Sequence, residues 1–96
     1  MERIVNIGLQ ILPQSDNMHP YDIIDETIGV IRQSGVKHKV CPMETVFEGR
    51  YDEVMKVVDA AIRKAYSLSD KVFVNIRMQL DKTADVSMDE KLSKYE

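Results

Sequence analysis

The residues with the most chemical promise stand together at 45–49, as Thr45-Val46-Phe47-Glu48-Gly49. A carboxylate flanked by an aromatic ring and a glycine is an uncommon end for a strand. Glu48 in that setting can balance a cation, accept hydrogen bonds from a ligand, or act as a general base. The plainer alternative makes Glu48 an exposed strand-end charge and Gly49 a turn residue. Other reactive types are sparse. His19 sits in a loop beside Pro20, and His38 falls on the apolar side of a strand, where a satisfied core or edge histidine is the ordinary case. The two histidines lack metal-ligand spacing, and the single cysteine, Cys41, is too few for a structural zinc site. Cys41 lies three residues past His38, so a strand points them to opposite faces and they make no nucleophile–base pair. Glu48-Gly49-Arg50 is too short for a phosphate-binding loop. An enzyme using Glu48 as base would have His19 as its acid. No second well-placed group accompanies Glu48, so the sequence reads as non-catalytic, with no metal and no cofactor.

The elements that must hold these residues follow from periodicity. Over residues 4–12, Val5, Ile7, Leu9 and Ile11 alternate with Asn6, Gly8 and Gln10, which predicts a strand with one buried face, ended by Pro13. Pro20 opens a helix whose stripe is Tyr21, Ile24, Ile28 and Ile31, with Asp22, Asp25 and Glu26 near its positive end and Gly35 as its stop. Residues 36–41 and 44–48 form a hairpin around Pro42-Met43, and Gly49 breaks the second strand. A second helix carries Val54, Val57, Val58, Ala61, Ile62 and Ala65 on one stripe, with acidic residues early and basic residues late. The last strand, 71–80, turns Val72, Val74, Ile76, Met78 and Leu80 inward and Phe73, Asn75, Arg77 and Gln79 outward. Ser87 and Glu90 have capping-box spacing ahead of a short tail helix. Its apolar residues, Met88, Leu92 and Tyr95, share a face that must dock on something, in so short a chain a neighbouring subunit.

This order, strand-helix-strand-strand-helix-strand, gives an α+β, ferredoxin-like βαββαβ sandwich: a four-stranded antiparallel sheet with both helices on one face. The first and third strands are central. The uncovered face carries Asn6, Gly8, Gln10, Asn75, Arg77 and Gln79, with Phe73 as its one large apolar side chain. Such a face pairs with a second sheet in an oligomer or lines a site, and Gly8 in a central strand suggests that something approaches closely.

Ninety-six residues suit one domain, 1–96, burying about two-thirds of its unfolded surface. Thirteen basic residues stand against sixteen acidic ones, and no basic run exceeds a pair, so a nucleic-acid partner is not expected. The N-terminus lacks a signal-peptide pattern and no apolar run would span a bilayer, which points to a cytoplasmic protein with no membrane partner.

The runs Ser34-Gly35-Val36-Lys37, Val40-Cys41-Pro42-Met43-Glu44-Thr45-Val46-Phe47-Glu48-Gly49 and Asp52-Glu53-Val54 resemble the signature of the small thiamine-binding protein family. The early strand closing on Leu12-Pro13 and the ending Glu90-Lys91-Leu92-Ser93-Lys94-Tyr95 are similar to it as well, so the resemblance spans nearly the whole chain. Its most specific part is Pro-x-x-Thr-x-x-Glu-Gly at 42–49, and Cys41 departs from it, standing where a glycine is expected. The resemblance implies a ferredoxin-like fold, assembly into a homodimer or homotetramer through the sheets, and binding of thiamine or its hydroxymethylpyrimidine moiety as a carried or sensed ligand. In that setting Glu48 would accept from the pyrimidine or balance the thiazolium. Thr45, Asn6, Gln10 and Asn75 would supply neutral donors and acceptors, and Phe47 or Phe73 a ring to stack on. Thr45 and Glu48 nominally face opposite sides of their strand, so serving one ligand requires a bulge or a strand-end site. An oligomeric interaction module whose polar face is purely interface is the alternative.

Overall fold

The computed structural model describes residues 1–95. In chain order they form β1 (Ile4–Gln14), α1 (Pro20–Ser34), β2 (Lys37–Val40), β3 (Thr45–Arg50), α2 (Tyr51–Leu68), β4 (Lys71–Gln79), α3 (Met88–Leu92) and a single 3-10 turn (Ser93–Tyr95). The strands lie in the order β2-β3-β1-β4, all antiparallel, so the first and third are central as the connectivity requires. This is the ferredoxin-like sandwich.

Alternation in β1 sets the two faces. Val5, Ile7, Leu9 and Ile11 enter the core with Ile23 and Ile31 of α1, Phe47 of β3, and Val54, Val58, Ala61 and Ala65 of α2. Phe47 has no solvent exposure, and truncating such a ring to alanine costs about 3–5 kcal/mol.

Several boundaries differ from the sequence reading for identifiable reasons. β1 runs through Pro13, which pairs with Val72 of β4. β3 accompanies β1 only to Leu9, so that flank of β1 is open beyond it and tolerates a residue without an N–H. The buried stripe of α1 is Ile23, Thr27 and Ile31, not one through Tyr21, which is exposed; the Thr27 hydroxyl donates to the Ile23 carbonyl (2.9 Å), which lets a polar side chain occupy the core. Gly35 ends the helix in the left-handed region (φ 74°), as expected of a glycine cap. Gly49 does not break β3. It pairs with Val5, and a Cβ there would crowd Val54 at 3.1 Å, so the glycine lets the first turn of α2 press on the sheet. α2 has Asp52 and Glu53 in its first turn but no basic residue in its last, because it continues past Arg63 and Lys64 to Leu68. In β4, Val72 and Val74 pack on the core, whereas Ile76 and Met78 stay exposed although they pair with the buried Leu9 and Ile7, because β4 is an edge strand with no neighbour on its outer side; Leu80, just past the strand, is exposed as well.

After β4 the chain turns back. Ile4 N–H donates to the Asp85 carboxylate (2.8 Å) and Val86 N–H to the Ile4 carbonyl (3.0 Å), which buries Val86. Ser87 caps α3 by accepting from Glu90 N–H (3.2 Å). The tail thus lies on its own sheet, held by polar contacts, with Leu92 and Tyr95 exposed. Among the described residues no helix is long and apolar enough to cross a membrane.

Candidate functional site

The sheet register arranges the outward side chains in rows. One row is Lys37, Glu48, Asn6 and Gln79; the next is Lys39, Val46, Gly8 and Arg77. The tail crosses the first row and walls a groove of about 830 Å³ over the second. Gly8, Val46, Glu44 and Arg77 form its floor, Lys37 and Lys39 its β2 side, and Met88, Lys91 and Leu92 its tail side.

Glu48 lies beneath the tail wall with its side chain 10 % exposed. Its Oε1 accepts from Met88 N–H (2.6 Å) and from Asn6 Nδ2 (3.2 Å), and its Oε2 meets Lys37 Nζ at 2.7 Å. Burial pushes this carboxyl up, but the Lys37 ammonium, the Met88 N–H and the Asn6 amide together outweigh it and hold the group below the usual carboxylate range. The hydrogen bond from Lys37 to Glu48, aided by Asp89, raises the lysine above its ordinary value against a smaller effect of burial. Asn6 joins floor and tail: its Nδ2 also reaches the Val86 carbonyl (3.4 Å), and its Oδ1 accepts from Lys91 Nζ (2.7 Å).

Glu44 is placed differently. Its Oε2 pairs with Arg77 (2.8 Å), and its Oε1 lies over Gly8, in the space that a Cβ there would occupy. Among the described residues no donor reaches that Oε1. Gly8 is therefore the close-approach glycine that the sequence suggested, and the approaching group is a carboxylate of the same chain.

Of Thr45, Glu48, Phe47, Asn6, Gln10 and Asn75, only Asn6 lines the groove. The β1–β3 register is unbroken from Ile4↔Arg50 to Leu9↔Thr45, so no bulge brings Thr45 and Glu48 to one side. Thr45 is buried on the helix side and Phe47 is a core residue, so neither of these two expected ligand-binding residues lines the groove. Gln10 and Asn75 are on that face but bond each other (3.0 Å). Phe73 is also outward, opposite Leu12 and beyond the groove. His19 is the cap of α1, its Nδ1 accepting from Tyr21 N–H (3.1 Å), and it does not line the groove. Glu44 and Lys39 were missed. Strand alternation alone puts Glu44 on the face of Glu48, and Gly8 marks the gap that it fills. Among the described residues no group of three or more His, Cys, Asp or Glu side chains could hold a metal ion.

A four-stranded sheet with two helices on one face and a short helix folded over the other defines a ferredoxin-like protein with a groove beside its C-terminal tail. Solved structures share the fold. A domain of unknown function, DUF77, from Bacillus cereus superposes with a TM-score of 0.93 at 31% identity, covering 100% of this chain and 93% of that one. A putative thiamine biosynthesis/salvage protein from Thermotoga maritima superposes with a TM-score of 0.85 at 24% identity, covering 97% of this chain and 99% of that one; at that identity the likeness speaks to fold. A UPF0045 protein of Clostridium perfringens is 35% identical over 94% of this chain and 95% of its own length. Residues 7–96 match the family described as thiamine-binding protein, and the chain belongs to that family.

Proposed function

We propose that the protein binds thiamine or a related pyrimidine such as hydroxymethylpyrimidine in the groove over its polar sheet face, as a carrier or sensor without catalysis. Family membership supports the ligand class. The observation that carries the reading is Glu44: one carboxylate oxygen is fixed by Arg77, and the other is aimed over bare Gly8 with no donor among the described residues. An aminopyrimidine laid on the Gly8–Val46 floor donates its exocyclic amine to that oxygen, and the carboxylate lies near a thiazolium charge. Glu48, already holding three donors, fixes the wall rather than the ligand. Its lowered pKa also suits a general base poorly at neutral pH.

Calorimetric titration with thiamine and with hydroxymethylpyrimidine tests this. A Kd in the micromolar range, about −8 kcal/mol, is expected; no binding below millimolar concentration for either compound overturns it.

The homodimer or homotetramer is part of the same reading, in the cytoplasm. β4 is an edge strand with exposed Ile76 and Met78, followed by exposed Leu80, and Leu12 and Phe73 are exposed as a cross-strand pair on the polar face. These same features favour an interaction module as the second reading. Light scattering after gel filtration separates them from a strict monomer, which neither reading survives.

A further inference from the structure

The groove's charge runs against the composition of the chain. Overall, sixteen acidic residues outnumber thirteen basic ones. Around the groove, Lys37, Lys39, Arg77 and Lys91 face Glu44 and Asp89, with Glu48 beneath, so cations are in excess. Their pairing is uneven. Lys37 is taken by Glu48 (2.7 Å) and Asp89 (3.6 Å), and Arg77 by Glu44 (2.8 Å). Among the described residues neither Lys39 nor Lys91 has a carboxylate within ion-pair distance. Among the described residues the Lys91 ammonium is anchored only to a neutral acceptor, Asn6 Oδ1, which occupies one of its three donors. Lys39 stands on the outer face of β2, across β3 from Gly8. Asn6, and so the Lys91 ammonium, is on β1, two strand spacings (about 10 Å) from β2. Two flexible lysine stems close that span around one oxyanion.

A ligand that is only cationic leaves these two ammonium groups unanswered and adds charge of the same sign. A phosphate monoester answers both, while its ring still lies over Gly8 beside Glu44. We infer that the groove takes its pyrimidine ligand as a phosphate monoester, with the phosphate held between Lys39 of β2 and Lys91 of the tail. This rests on the ligand reading above and adds the anionic group to it. Because the two lysines come from sheet and tail, the phosphate also ties the tail to the sheet.

The test is calorimetric titration of the full chain with thiamine, its monophosphate ester and inorganic phosphate, at low and at about 0.15 M salt. The ester is expected to bind at least about tenfold tighter than thiamine at low salt, an advantage that shrinks as salt rises. In Lys39→Ala, whose ammonium has no partner among the described residues, the ester-to-thiamine ratio falls toward one. It falls likewise in Lys91→Ala, and it stays at the parent value in Lys56→Ala, which removes an exposed charge from α2. Thiamine binding with no advantage for the ester overturns this inference and leaves the proposed function standing. An advantage that survives in both groove variants overturns it as well, as does inorganic phosphate binding as tightly as the ester. Failure of the ester, together with failure of both thiamine and hydroxymethylpyrimidine in the titration above, overturns both readings.

Discussion

Glu44 and Glu48 share one face of one sheet, yet they do opposite things. Glu48 is enclosed by Lys37, Asn6 and the Met88 amide, so its charge is spent within the fold. Glu44 keeps one oxygen over an empty patch of backbone and spends only half of its capacity on Arg77. A carboxylate surrounded by donors is a fastener, and one with a spare oxygen facing a groove still has an acceptor to offer. The residue that draws the eye in the sequence is the fastener.

The difference can be broken most forcefully at Glu48. Glu48→Ala leaves three donors without their acceptor and should destabilise the protein by about 2–3 kcal/mol, read by urea unfolding. Limited proteolysis should cut the variant within 81–95 first, since the tail loses its anchor; an intact tail would count against the fastener role.

Acid should release the same anchor more gradually. The folded carboxyl lies below its ordinary value of 4.5, so its contribution is fully present above that pH and is lost as pH falls through the lower folded value. The Met88 amide resonance, followed by NMR, should therefore hold its position down to about pH 4.5 and shift only below it. A shift centred above that pH would contradict the assignment.

Glu44→Gln should leave stability within about 0.5 kcal/mol, because its partner Arg77 is largely exposed, while weakening ligand binding about tenfold. Parent-like affinity in that variant would remove Glu44 from the site.

The smallest effect is expected of Gly8→Ala, whose methyl displaces the flexible end of Glu44 without touching the backbone ladder. A loss of about threefold in affinity should result, and the double variant with Glu44→Gln should be no worse than Glu44→Gln alone. Strict additivity would mean that Gly8 acts through something other than Glu44.

How much of this could be read from the residues depends on range. The faces of β1, the Gly35 cap and the Ser87 cap follow from local alternation and capping chemistry, and the central position of the first and third strands from the order of elements. The same alternation already set Thr45 and Glu48 on opposite faces, and the unbroken ladder bears it out. The α1 stripe was misjudged because a threonine satisfying its own hydroxyl within the helix is invisible to a hydrophobicity pattern. The groove was out of reach for another reason. It rests on Asn6 meeting Lys91, and Glu48 meeting Met88, contacts between residues 85 and 40 positions apart that no periodicity encodes.

The joining of Ile4 to Asp85 and Val86 has a consequence for the order of events during synthesis. A ribosome that has released all four strands has not yet released the wall of the groove. The emerging chain can form its sheet and helical layer while the polar face stays bare, and only the arrival of residues 85–92 turns a surface into a compartment. Ligand competence should thus wait for the docking of residues 85–92, after most of the hydrophobic core has formed.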